Sequence, residues 1–321
     1  MHRPFAARRA RDGGLLLAAS VLVGVVAIAV APAVAGAAPA AAHEAAATLS
    51  AAKAAILGVV EGVTEYLPIS STGHLLVTSR LLDLPDTGSA GDALKSYEIA
   101  IQFGAILAVL ALYCRRVAAM LEGVVGRSVD GRRLLTGVAV AFVPAAVVGL
   151  VSETVIKDVL FGVWPVVVAW VVGGLAILEL SRRGLVGPRG GRPLEAMTAR
   201  DALIIGGAQV LALWPGTSRS LVTIVAALLI GLSMQAAVEF SFLLGFVTLG
   251  AATAYEAAKD GRLMVDSFGV AVPLLGVAVA FAAAAASIKW MVGYLNRHDL
   301  AVFGWYRLAV AAATILVVAW K

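Results

Sequence analysis

Glu61 and Glu65 stand four residues apart among Ile56, Leu57, Val59, Val60 and Leu67. On a helix, that spacing puts both carboxylates on one face, one turn apart. Like charges so placed repel, and in lipid each is costly, so the pair calls for a divalent cation, a shared proton or an arginine. Mg2+ and Ca2+ prefer carboxylate oxygens, and Mg2+ often bridges to substrate phosphate. A solvated helix end is the plainer reading. Just beyond come Ser70, Ser71, Thr72, Gly73 and His74. Hydroxyls and free N–H groups at the start of a helix near Leu75 can hold an oxyanion, and a Ser or Thr beside a His has the makings of an activated nucleophile. A helix cap and a packed imidazole would explain an isolated Ser-Ser-Thr, but here the Glu pair and a second polar break accompany it.

That second break reads Pro215-Gly216-Thr217-Ser218-Arg219-Ser220, between Leu211–Trp214 and Leu221–Leu229. An arginine in such surroundings needs an anionic partner, and guanidinium binds phosphate in a bidentate way. A snorkelling arginine, or a salt bridge to Glu61 or Glu65, is the structural alternative. Two carboxylates, hydroxyls, an imidazole and a guanidinium together fit phosphoryl transfer, which needs an attacking group, charge stabilisation and a proton donor. Other polar residues carry less. Gln102 and Gln209 are expected to hydrogen-bond between helices, Glu98 and Glu239 to sit at the interface, and Cys114 to pack. The tryptophans suit interfacial belts. The spacing of Tyr306 and Arg307 does not show which way they face.

Lipid must position these groups. Of 321 residues, 61% are hydrophobic and only 14% charged, against roughly 25% charged in a typical soluble domain. Apolar runs near the ~20 residues needed to span a bilayer are marked at about 98–114, 134–151, 162–180, 236–255, 268–290 and 301–320. The stretches 51–82 and 201–232 are apolar but broken midway. The expected class is an all-α polytopic membrane protein. Net charge is +5, but the arginines lie between spans, which argues against a nucleic-acid partner. Residues 1–50, with Arg8, Arg9 and Arg11 before the run Leu15–Val34, look like a signal segment or an extra span.

Arginine-rich short loops stay cytoplasmic, so the segments holding Arg115–Arg133 and Arg182–Arg200 face inward. The stretch 51–82 must then enter and leave on the outer side as a re-entrant helix–loop–helix. If 201–232 is also re-entrant, from the inner side, each half holds one broken pair and three spans. An odd span count gives the halves, about 51–180 and 201–320, opposite orientations. Pro68 then aligns with Pro215, and Ser71 with Ser218. Such inverted repeats bring broken helices together near the midplane. Transporters share this habit, so a lipid flippase is the alternative to an enzyme.

At these residues the chain resembles the undecaprenyl-diphosphatase family, the bacitracin-resistance type. Leu57-Gly-Val-Val-Glu-Gly-Val-Thr-Glu-Tyr-Leu-Pro-Ile-Ser-Ser-Thr-Gly-His74 matches the family's glutamate-rich signature throughout. Leu213-Trp-Pro-Gly-Thr-Ser-Arg-Ser220 is a second close match, and Ile101–Val109 and Glu239–Leu244 are also similar. The resemblance covers about 51–320. It implies hydrolysis of undecaprenyl diphosphate to the monophosphate, recycling the carrier lipid for cell-wall synthesis in the plasma membrane. It also implies a divalent cation, Mg2+ or Ca2+, and a site open to the outer face; a homodimer is compatible with it. Carried over by position, Glu61 and Glu65 are the acidic pair, with Glu65 the stronger metal candidate. Ser71 is the candidate nucleophile, with His74 or an activated water as alternatives. His74 is acid/base, Arg219 the phosphate clamp, and Thr72 and Ser218 phosphate contacts, with Ser70, Gly73, Thr217 and Ser220 beside them. Where the family usually continues with Gly after Ser220, this chain has Leu221, expected to narrow the backbone approach to phosphate.

Overall fold

A computed structural model describes residues 49–188 and 190–320. The signal-like segment 1–48 lies outside the described residues. In chain order the helices are α1 (Ala51–Thr64), α2 (Ser71–Leu81), α3 (Gly88–Leu112), α4 (Cys114–Val124), α5 (Val129–Leu160), α6 (Val163–Arg182), α7 (Ala199–Gln209), α8 (Arg219–Leu229), α9 (Met234–Phe268), α10 (Ala271–Leu295) and α11 (Ala301–Trp320). Among the described residues there is no β-strand, only an isolated bridge between Arg192 and Leu232.

Local chemistry sets several of these boundaries. Ser50, Ser128 and Ser233 each accept an N–H in the first turn of α1, α5 and α9, as good N-caps do. Thr198 and Asp201 form a capping box at the start of α7. Arg192 also binds both oxygens of Asp201, at 2.9 and 3.0 Å.

Six helices are long and apolar enough to cross a membrane: Ala90–Leu112, Val129–Val155, Val163–Arg182, Met234–Tyr255, Ala271–Leu295 and Ala301–Ala319. They correspond to the six expected spans. The two broken stretches each form a pair of helices, α1–α2 and α7–α8. Val147, Leu150, Val151 and Val155 of α5 are exposed, a face that lipid would cover. This is a multi-pass membrane protein.

Five pairings bring the halves of the chain together. α1 packs along α10, α7 along α5, α3 against α9 and α10, and α6 against α11. The largest buried cluster draws on both halves, from Tyr66, Leu67 and Ile69 of the first break to Leu221, Ile224, Phe240 and Phe242. Three expectations need correcting. Cys114 opens α4 and is exposed. The Gln209 amide, at the last residue of α7, is buried with neither atom hydrogen-bonded. Trp170 is fully buried rather than interfacial.

Candidate active site

The first break begins where α1 ends. Glu65 is the C-cap of α1, and the buried Leu67 and Ile69 carry the chain to Ser70, whose φ is 74°. The second break ends at Ser218, with φ 77°. Each serine is the N-cap of an 11-residue helix. A non-glycine residue in this region costs of order 1–3 kcal/mol and persists only where its surroundings hold it. Ser218 Oγ accepts from the Leu221 N–H at 3.3 Å, whereas Ser70 makes no such bond through its side chain.

Ser71, the first residue of α2, donates its hydroxyl proton to Glu65 Oε2. The other oxygen, Oε1, accepts from Arg219 Nη2 at 3.1 Å. The two charged side chains are only 9% and 6% exposed. Arg219 Nη1 donates to the Ser241 carbonyl at 2.9 Å, and its Cζ lies 5.2 Å from the centroid of the Tyr66 ring, within cation–π range. Gly245 of α9 makes room for this guanidinium, because a Cβ there would overlap it.

Two groups remain unmatched at this place. Arg219 Nε is buried with no hydrogen-bond partner, and so are both oxygens of Glu61, which is fully buried. Glu61 lies one turn before Glu65 and within electrostatic reach of it and of Arg219. Buried polar atoms are nearly always paired. The open donor of Arg219 and the carboxylate of Glu61, within electrostatic reach of each other, suit a ligand with an anionic and a cationic part.

Four carbonyls of the first break, Leu67 to Ser70, are each held by a side chain. Leu67 O accepts from Ser220 Oγ at 2.9 Å and from Ser218 Oγ at 3.5 Å. Pro68 O accepts from Arg307 Nη1 at 3.4 Å, and Ile69 O from Trp170 Nε1 at 3.0 Å. Ser70 O accepts from His74 Nδ1 at 2.6 Å. A carbonyl can only accept, so Nδ1 carries the proton, and the neutral ring accepts at Nε2 from the Tyr306 hydroxyl at 2.8 Å. The Tyr306 and His74 rings also stack, with centroids 5.6 Å apart.

Comparison with known proteins places the chain. The family described as bacitracin resistance protein BacA matches residues 54–313. The chain belongs to the BacA family. It is 46% identical over 258 residues to a protein of Sorangium cellulosum named undecaprenyl-diphosphatase, covering 80% of this chain and 82% of that one. It is 44% identical over 268 residues to one of the same name from Methylibium petroleiphilum, covering 80% and 91%. An undecaprenyl-diphosphatase 1 of Burkholderia lata is 44% identical over 261 residues, covering 80% and 92%.

In this BacA-family chain the structure joins Glu65, Ser71 and Arg219 directly. It puts Ser218 and Ser220 on the Leu67 carbonyl and packs Gly73 against Trp170 and Val166. Thr72 is exposed and Thr217 half-buried. His74 does not pair with Ser71, since both its nitrogens are engaged elsewhere. Leu221 points into the main core. Glu98 accepts from Ser79 at 2.7 Å, and Glu239 pairs with Arg116. Tyr66, Trp170, Ser241 and Gly245 were not foreseen. Tyr66 directly follows Glu65, but an aromatic ring in an apolar run carries no signal of its partner.

Proposed function

We propose that this chain hydrolyses undecaprenyl diphosphate to undecaprenyl phosphate and inorganic phosphate. The reaction returns carrier lipid to cell-wall synthesis and underlies resistance to bacitracin. The family and the names of the relatives support the reaction. The observation that carries it to particular residues is the line Ser71–Glu65–Arg219 with orphan polar atoms on Arg219 and Glu61. Translocation of the lipid is not favoured, since an acid–hydroxyl pair beside a guanidinium exceeds what anion binding requires.

In the mechanism, Arg219 receives a terminal phosphate oxygen at Nε, the donor left open, while Nη2 keeps its hold on Glu65. Ser71 Oγ attacks the terminal phosphorus and its proton passes to Glu65 Oε2. The bond from that phosphorus to the bridging oxygen breaks, and undecaprenyl phosphate leaves with the electron pair. Water then cleaves the phosphoserine, with Glu65 returning the proton to Ser71. An activated water attacking directly, with Ser71 as an orienting donor, uses the same groups. His74 serves through the Ser70 carbonyl, and Ser70, Thr72, Gly73, Thr217, Ser218 and Ser220 form the surrounding cradle.

A divalent cation, Mg2+ or Ca2+, fits the residues present. Among the described residues no three His, Cys, Asp or Glu side chains converge as a ligand cluster. Mg2+ sites of one or two carboxylates completed by substrate phosphate and water need no such cluster. Both Glu65 oxygens are already engaged, so Glu61 is the better first ligand, with Glu65 second. Such an ion would neutralise charge on the diphosphate.

The two halves are taken to be an inverted repeat. Exchanging α1, α2, α3, α5 and α6 for α7, α8, α9, α10 and α11 turns the α1–α10 pairing into α7–α5 and leaves α3–α9 and α6–α11 unchanged. The matching serine N-caps support the same relation. The site faces the outer side of the plasma membrane, as the arginine-rich loops suggest, and a homodimer is compatible with this reading. Purified protein should release phosphate from undecaprenyl diphosphate when Mg2+ or Ca2+ is added. Absence of release beside an active relative would defeat the proposal.

A further inference from the structure

Arg307 of α11 is fully buried, and its hydrogen bonds all run to backbone carbonyls. Nη2 donates to Ala169 and Gly216, both at 2.8 Å. Nη1 donates to Thr217 at 3.1 Å and to Pro68 at 3.4 Å, and Nε to Trp170 at 3.4 Å. One guanidinium thus ties the first break, the second break and α6 together. Only arginine presents five N–H donors in a rigid fork. An apolar residue would fill the space without the cost of burying a cation, so packing alone does not account for it.

The direction of these bonds matters for an anion site. In a trans peptide the C=O and N–H point opposite ways, and no cis bond occurs among the described residues. Drawing the Thr217 carbonyl toward Arg307 turns the Ser218 N–H the other way. Trp170 does the same for the Ser70 N–H through Ile69 O, and His74 for the Ser71 N–H through Ser70 O. Backbone N–H groups left open in this way can line an anion-binding nest.

We infer that Arg307 is a positioning residue: without touching the headgroup, it anchors both breaks through their carbonyls and, at Thr217, turns the Ser218 N–H toward the diphosphate. The inference rests on the hydrolase reading above. Gly173 of α6 provides a test that leaves the charge in place, because a Cβ there would overlap the Arg307 guanidinium. Gly250 of α9 has nothing near its Cβ position and serves as the control.

The experiment compares wild type, Gly173→Ala, Gly250→Ala, Arg307→Lys and Arg307→Met in detergent. It measures phosphate release from undecaprenyl diphosphate, and amide hydrogen exchange over residues 67–74 and 214–221. Gly173→Ala is expected to lower kcat at least about 10-fold with KM within 2-fold, and to speed exchange in those two segments alone. Gly250→Ala should match wild type. Arg307→Lys should retain more kcat than Arg307→Met at equal folded yield. Wild-type kcat and exchange in Gly173→Ala would overturn the inference, as would a rise in KM alone. Faster exchange at both breaks supports it even if no variant releases phosphate, a result that would count against the hydrolase reading instead.

Discussion

Glu65 and Arg219, 154 residues apart in the chain, meet in a 3.1 Å ion pair whose members are both almost fully buried. Each also reaches a further group: Glu65 takes the Ser71 hydroxyl, and Arg219 takes the Ser241 carbonyl. A pair needed only for stability would saturate its donors, yet Arg219 Nε is left open.

Arg219→Lys should therefore be nearly as damaging as Arg219→Ala. A lysine keeps the charge but not the fork that spans Glu65, Ser241 and a phosphate oxygen. Both are expected to lower kcat by about 10²–10³, measured as phosphate release at saturating lipid. Near wild-type turnover in the lysine variant would remove the bidentate role.

Ser71 and Glu65 should behave as one unit. Ser71→Ala and Glu65→Gln each ought to abolish most turnover. The double variant should be no worse than the poorer single one, as for groups that act together. Additive losses would mean the two act separately.

Gly245→Ala separates stability from activity. Alanine in a helix interior is favoured over glycine by about 1 kcal/mol, so thermal stability should hold or rise unless the added Cβ strains α9. The same Cβ displaces the Arg219 guanidinium, so kcat should fall about 10-fold or more. Unchanged activity would show that the guanidinium can shift freely.

The reverse split is expected at Leu221. It is buried in the main core, so Leu221→Gly should cost roughly 2–5 kcal/mol or more of stability, seen as a lower melting temperature. Turnover per folded molecule should change little, because this side chain packs in the core. A large gain in turnover would restore the expectation that Leu221 crowds the phosphate.

Acid should loosen the entry to the second break. The Arg192 hydrogen bonds hold the Asp201 carboxyl down to about 2, below its ordinary 3.8. A depressed carboxyl contributes stability above its unfolded value and loses it as pH falls through the folded one. That contribution should be intact above about pH 4 and fade toward pH 2. Asp201→Asn should lower the melting temperature at neutral pH and flatten its dependence in this window.

Much of this arrangement is legible in the sequence. Glu61, Glu65 and Arg219 stand out because charge in an apolar run demands a partner, and Pro68 and Pro215 mark where helices must stop. The rest is hidden for a physical reason. Arg307, Trp170 and His74 act on backbone carbonyls, and every residue has a carbonyl, so no side-chain pattern reveals such a contact. Glycines such as Gly173 and Gly245 look like any small residue in a membrane helix until the guanidinium each accommodates is seen. His74 beside Ser71 invited a catalytic pairing, but one helical turn carries the imidazole back to Ser70 and Tyr306.

The most direct test of the account is the product balance of the purified protein in detergent with Mg2+ or Ca2+, where no membrane gradient exists. One inorganic phosphate and one undecaprenyl phosphate should form per undecaprenyl diphosphate consumed, with both lost in Glu65→Gln and Arg219→Ala at normal folded yield. Intact lipid after incubation, under conditions where the Sorangium cellulosum relative turns over, would contradict it.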